Sequence, residues 1–228
     1  MTAFRRYGIY VVPDGALFDL GSAWLGWDSA AGAALPHPAI DGLPAPAKEL
    51  TATPRKYGLH GTIKPPFRLA EGQSAKDLGD ALTAFCATRP AVTIPALMLR
   101  LLGRFIALVP DAPAPGLADL AAATVEAFEP FRAPLNEAEL AKRRKSRLTD
   151  RQEVLLQRWG YPYVMEEFRF HITLTGALEA AAIDPVLQSL KTHFSSHIGQ
   201  PLPINHLSLM GEDADGRFHV IARYALTG

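Results

Sequence analysis

Polar and apolar residues alternate most strictly over two short stretches of this chain. From 168 to 175, Phe168, Phe170, Ile172 and Leu174 are apolar, and Arg169, His171, Thr173 and Thr175 between them are polar. A period of two sends successive side chains to opposite faces of a β-strand, so this stretch predicts a strand with one face in the core and the other lined with hydrogen-bonding groups. The stretch 59–64 follows the same parity, with Leu59 and Ile63 facing one way and His60, Thr62 and Lys64 the other. A third strand is predicted at 7–12, an aromatic and β-branched run that stops at Pro13-Asp14-Gly15 and completes a sheet. Helical spacing is found elsewhere. Ser74 caps a helix to about Ala87, a second runs from Gly116 to Phe128, and Asp184-Pro185 opens a third to about Phe194, each with one apolar stripe. The strongest signals lie at 149–160: Thr149 and Gln152 form a capping box, Leu155, Leu156 and Trp159 the apolar face, and Gly160 with Pro162 the stop. The Ala-, Pro- and Gly-rich segment 30–54 reads as loop.

The two alternating stretches head an internal repeat. The first copy runs through Leu59-His-Gly-Thr-Ile63, a helix, Val92-Thr-Ile-Pro95, Leu97-Met-Leu99 and Gly103-Arg-Phe105. The second runs through Phe170-His-Ile-Thr-Leu174, a helix, Leu202-Pro-Ile204, Leu207-Ser-Leu-Met210 and Gly216-Arg-Phe218. His60 lies 43 positions before Gly103 and His171 lies 45 before Gly216, so the copies keep nearly constant spacing. The expected architecture is a single 1–228 domain of class α+β. It is bilobed, with lobe one mainly around 55–110 and lobe two mainly around 165–226, each with an antiparallel sheet and flanking helices. A pseudo-twofold relates the lobes, and the active cleft lies between the sheets.

Such symmetry brings two imidazoles, two hydroxyls and two cations to one small volume, which suits a phosphate. Hydrolysis of a phosphodiester needs a base to deprotonate water and an acid to protonate the leaving alkoxide. Histidine performs either role near neutrality. Thr62 and Thr173 would bind the phosphoryl oxygens, and Lys64 and Arg169 would stabilise developing charge. Which histidine is base stays open here. A lone histidine on an apolar strand is usually structural, but two at equivalent repeat positions, each followed by threonine, point to catalysis.

The paired His-Gly-Thr-Ile and His-Ile-Thr-Leu motifs resemble the two-histidine (2H) phosphoesterase superfamily. More narrowly, 55–67 and 158–176 are similar to its uncharacterised-domain branch linked to phosphonate metabolism. That resemblance implies a bilobed α+β fold, no metal or other cofactor, and cleavage of cyclic phosphates such as 2′,3′-cyclic nucleotides or, in phosphonate breakdown, a ribosyl cyclic phosphate. It implies His60 and His171 as catalytic residues and Thr62 and Thr173 as phosphate ligands. The alternatives are RNA-end processing or 2′–5′ ligation, and a non-catalytic phosphoester-binding module.

Composition narrows the setting. The 23 basic and 23 acidic side chains cancel, so no bulk field recruits nucleic acid or an anionic membrane. The expected partner is a small phosphorylated or nucleotide-like substrate, with RNA less favoured and no membrane. The single cysteine, Cys86, allows no internal disulfide, and with no signal-like leader the expected compartment is the cytoplasm. His193 and His197 are an i, i+4 pair without a third ligand, while His37, His206 and His219 carry no motif. The basic run 142–145, with Arg147 and Arg151, reads as a solvated helix face or a steering patch. Of Tyr57, Tyr161 and Tyr163, all candidates for the cleft rim, Tyr163 is the favoured substrate contact.

Overall fold

The computed structural model describes residues 4–228. In chain order the elements are β1 (Arg6–Val11), α1 (Gly15–Leu25), β2 (Trp27–Asp28), β3 (Ala33–Ala34), α2 (Ala47–Leu50) and β4 (Gly61–Phe67). Then come α3 (Ala75–Cys86), β5 (Val92–Ile94), β6 (Leu97–Leu102), β7 (Phe105–Pro110), α4 (Pro115–Ala127), α5 (Glu137–Arg144) and α6 (Asp150–Trp159). The chain ends with β8 (Ile172–Thr173), α7 (Ala180–His193), β9 (Leu202–Ile204), β10 (His206–Glu212) and β11 (Phe218–Ala225). The local signals explain most boundaries. The Ser74 hydroxyl accepts from the Asp77 amide at the start of α3. The Thr149–Gln152 capping box opens α6, and Gly160, in the left-handed conformation, closes it. Helix α7 starts at Ala180, one turn ahead of Asp184, with Pro185 inside it. The alanines before Asp184 are strong helix formers and extend the helix upstream.

The fold is α+β. Seven antiparallel strands form one sheet in the order β11-β10-β1-β4-β8-β7-β6, with β1 between β10 and β4. Strand parity divides the faces. Ile9, Val11, Ile63, Ile106, Leu108, Ile172, Leu174, Leu207 and Leu209 join one continuous core with α3, α4 and α7. The opposite face carries a smaller apolar cluster around Tyr10, Met210 and Phe218.

The register reveals the pseudo-twofold. Gly61 pairs with Ile172, and these are equivalent residues of the two copies. In the small sheet of β5 and β9, Thr93 pairs with Pro203, again equivalents. Copies that pair through matching positions lie about a local twofold axis. The copies also exchange hairpins. The β6–β7 hairpin of the first copy pairs with β8 of the second, whereas β4 is flanked through β1 by the β10–β11 hairpin of the second. The spatial halves therefore correct the grouping into 55–110 and 165–226: each half holds a motif strand from one copy and a hairpin from the other. Antiparallel partners join readily to a neighbouring edge whatever copy supplies it, so sequence proximity does not set the grouping. Segment 30–54 is largely ordered against the body. Ala47, Leu50 and Thr51 are buried, and the Gly176 amide donates to the Leu50 carbonyl at 2.7 Å.

Candidate active site

The junction of β4 and β8 fixes four side chains at once. With Gly61 opposite Ile172, one step along the antiparallel ladder sets His60 beside Thr173 and Thr62 beside His171. Directly opposite Cβ atoms lie roughly 4.5–5.5 Å apart. Ile172 points into the core, so its neighbours point the other way, onto the face that carries the cleft. Each histidine thus has its own copy's threonine two residues on and the other copy's threonine across the seam. Gly61 permits this closeness: a Cβ there would lie 2.3 Å from the ring of Phe170, which is itself buried.

Both imidazoles are held in the same way. His60 Nδ1 lies 2.9 Å from the Gly58 carbonyl oxygen and His171 Nδ1 lies 2.8 Å from that of Arg169, each two residues upstream. A carbonyl only accepts, so Nδ1 carries the proton in both rings and Nε2 is the nitrogen left for chemistry. Gly58 adopts φ 75° with Ser29 packed at 3.0 Å from where its Cβ would be, a conformation that favours glycine and that aims its carbonyl at the ring. Arg55 braces the preceding turn by donating to the Leu25 carbonyl at 3.1 Å and to the Thr51 hydroxyl at 3.2 Å.

Aromatic neighbours distinguish the two rings. Tyr10 meets His60 edge-on at 4.9 Å, and Tyr57 lies stacked between His60 at 5.1 Å and Phe218 at 4.3 Å. His171 is the more open of the two, with Phe105 tilted beside it at 5.9 Å. The hairpin exchange recurs here: the Gly-Arg-Phe phenylalanine of each copy supports the histidine of the other. Enclosure pushes the pKa of His60 down from 6.5 to about 4, chiefly because burial disfavours the cation; the Gly58 hydrogen bond opposes this and the nearby His171 adds to it.

This shift has a consequence for stability. The folded protein takes up the His60 proton less readily than the unfolded chain does, so stability is full above about pH 6.5 and is lost as the pH falls towards about 4. The total loss is on the order of 3 kcal/mol. His60→Asn removes this contribution, so its urea-unfolding stability should fall less steeply than wild type between pH 7 and 4. Parallel curves would mean that the imidazole is not desolvated.

A cleft of about 200 Å³ opens over the seam, walled by His60, Thr62 and Thr173, by Tyr57 and Tyr161, and by Arg6 and Arg143. Thr53 and Pro54, from the end of the loop segment, form another wall. Neither expected cation is in this wall. Lys64 is buried on the core side, where its ammonium donates to the Val125 carbonyl and to Glu129, both at 3.0 Å. The reason is a β-bulge: Ile9 faces Lys64 while Tyr10 faces Thr62, so β4 spends one extra residue and the parity reverses. Arg169 turns its guanidinium back onto the carbonyls of Glu166 and Phe168 at 2.8 and 2.7 Å. It lines a separate, mainly apolar cavity of about 560 Å³ with Phe168 and Phe170. Regular pairing begins only at Ile172, so the strand parity does not extend back to Arg169. Thr175 is also structural, its hydroxyl accepting from the Ile106 amide at 3.0 Å.

Arg6 and Arg143 occupy the cationic positions instead. Arg6 begins β1 and is ion-paired with Glu212, which raises its pKa. Arg143 belongs to the basic run and lies over the Tyr161 ring at 4.7 Å. Tyr161, and not the exposed Tyr163, reaches the cleft; Tyr163 packs edge-on against it at 5.6 Å. Arg143 was hidden within a run of charges, and Arg6 gave no motif signal. Cys86 is buried, its thiol pushed up to about 11 by burial. Among the described residues no group of three or more His, Cys, Asp or Glu side chains is placed to hold a metal ion. No described helix is long and apolar enough to cross a membrane.

Known proteins match this chain over nearly its whole length. A relative in Janthinobacterium sp. (strain Marseille), named ribose 1,5-bisphosphate phosphokinase PhnN, is 40% identical over 221 residues, covering 94% of this chain and 49% of the relative. The chain therefore spans about half of that protein. Among solved structures, TT0787 of Thermus thermophilus aligns over 98% of both chains with TM-score 0.47 and 14% identity. E. coli LigT complexed with 3′-AMP aligns over 99% of this chain and 100% of its own, with TM-score 0.45 and 16% identity. The family described as protein of unknown function DUF1045 matches residues 62–219, from the first motif threonine to the start of β11, and the chain belongs to that family.

Proposed function

We propose that this chain is a metal-independent phosphodiesterase that opens a small cyclic phosphodiester, with His60 as general base and His171 as general acid. The observation that carries the reading is the matched pair of Nδ1–carbonyl hydrogen bonds at the heads of two paired strands, which leaves Nε2 of both rings free, in a register that sets a threonine opposite each histidine. His60 is neutral at pH 7 because of its depressed pKa, so its Nε2 lone pair is available to take a proton from water. The resulting hydroxide attacks phosphorus, one ring P–O bond breaks, and His171 delivers a proton to the departing alkoxide. One water is consumed and a phosphate monoester forms. A bound phosphate anion beside His60 favours the imidazolium, so its basicity rises when substrate is present. Thr62 and Thr173 donate to the non-bridging oxygens.

Within this class a ribosyl cyclic phosphate is the preferred substrate over a nucleoside cyclic phosphate. The Janthinobacterium relative, half of which this chain matches, is named for a ribose bisphosphate, and opening a cyclic ribosyl phosphate yields a ribose phosphate monoester. RNA is disfavoured because much of the basic surface is already neutralised: Arg144 pairs with Glu153, and Arg151 with Glu166.

Phosphorus NMR of the purified protein with ribosyl 1,2-cyclic phosphate, with and without EDTA, tests the proposal. A monoester signal should grow at the same rate in both samples. Binding without turnover would leave a recognition module, and turnover abolished by EDTA would overturn the metal-free mechanism. Thr62→Val, which exchanges a hydroxyl for a methyl of similar size, should lower kcat/KM about 10- to 100-fold, as expected for a lost hydrogen bond to a charged group. An unchanged rate would remove Thr62 from the site.

A further inference from the structure

The cleft is longer in chemistry than the reaction needs. Its wall carries His60, Thr62 and Thr173, with Tyr57 stacked on His60 at 5.1 Å, and also Arg143, Arg6 and Tyr161, none of which three the proton transfers require. Arg143 is the distinctive member. Its neighbours Lys142, Arg144 and Lys145 are exposed, whereas Arg143 is partly buried, drawn in over the Tyr161 ring at 4.7 Å. It makes no salt bridge among the described residues, while Arg6, which faces the same cleft, is committed to Glu212 at 2.7 Å. Helix α5 holds Arg143 in place. Its capping box joins Asn136 and Glu139, and Glu139 in turn binds Arg68 at 3.0 Å. A guanidinium held at a cleft wall without a carboxylate partner, beside two phenol rings, is a ready receptor for a dianionic oxygen group.

We infer that the Arg143–Tyr161 part of the cleft is a second anion subsite that takes a terminal phosphate monoester of the substrate. This rests on the proposed phosphodiesterase reading and sharpens it. The substrate is then a cyclic phosphodiester of a sugar that also bears a phosphomonoester, held at two points, with the diester at the histidines and the monoester at Arg143. Two-point attachment fixes the diester's orientation between acid and base, which converts remote binding energy into rate. A nucleoside cyclic phosphate lacking the second phosphate would occupy only half of the charge complement.

Two measurements test the subsite separately from the chemistry. In calorimetric titration, ribose 5-phosphate should bind the wild-type protein and ribose should not. Arg143→Gln should weaken ribose 5-phosphate at least about tenfold, the effect of removing a charge-assisted hydrogen bond, and Thr62→Val should weaken it far less. Helix α5 buries no residue, so Arg143→Gln leaves the core untouched. Absence of ribose 5-phosphate binding, or a loss carried by Thr62→Val and not by Arg143→Gln, would overturn the inference. In the kinetic measurement, kcat/KM for ribosyl 1,2-cyclic phosphate bearing a 5-phosphate should exceed that for the same compound without it by about 10²-fold, and Arg143→Gln should cut this ratio at least about tenfold. Equal turnover of the two compounds overturns the second subsite and leaves the histidine mechanism standing. Turnover of neither compound, with Arg143-dependent binding of ribose 5-phosphate intact, overturns the mechanism and leaves the subsite standing.

Discussion

His60→Ala and His171→Ala should each lower kcat/KM for the cyclic substrate by about 10²- to 10⁴-fold, the usual contribution of a positioned acid or base. The pH profile separates the roles. A general base must be unprotonated, so the wild-type rate should rise with pH through the His60 pKa and level off above about 4. His60→Ala should lose that acidic limb, and His171→Ala should keep it. Tyr57→Ala opens one side of the His60 ring to solvent, relieves its desolvation, and should move the acidic limb up towards 6.5. The double variant should be little worse than either single, because in the proposed mechanism the two groups act in one displacement. Full activity in the double variant would rule out the mechanism.

Lys64→Met should destabilise the protein by about 3 kcal/mol, as expected when one partner of a buried ion pair is removed. The figure sits at the low end of that range because Glu129 keeps Arg132, whose Nε lies 2.9 Å away. The Val125 carbonyl, by contrast, loses its 3.0 Å ammonium donor. The folded variant should turn over substrate at nearly the wild-type rate, since Lys64 lies on the core side of β4. Urea unfolding reads the first quantity and steady-state kinetics the second. A stable variant with a large rate defect would return Lys64 to the active site.

Lys64 also shows where sequence reading of this chain succeeds and where it stops. The parity of His60 with Thr62 and of His171 with Thr173 holds because Gly61 and Ile172 pair squarely. The Thr149–Gly160 helix holds because its caps are local hydrogen bonds that depend on nothing distant. Lys64 fails because one inserted residue in β4 reverses the alternation, and the only trace of this is Pro65-Pro66 just beyond it. Proline within a strand marks a bulge or an edge, so that pair was the available warning. Arg169 fails because alternation continues in the sequence for longer than the strand does in space. Arg143 and Arg6 were illegible for a different reason: they reach the cleft from α5 and from the start of β1, and only the assembled sheet brings those elements together. The hairpin exchange belongs to the same class, since nothing in either hairpin's residues says which motif strand it will border.

The central claim is that both Nε2 atoms address one phosphorus atom. Its most direct test is a crystal structure of the protein soaked with orthovanadate, which adopts the five-coordinate geometry of phosphoryl transfer. The expected result is a single vanadate in the cleft, with His60 Nε2 and His171 Nε2 on opposite apical oxygens and the Thr62 and Thr173 hydroxyls on equatorial ones. A vanadate bound by one histidine alone, with the other ring pointing into a separate region, would contradict it.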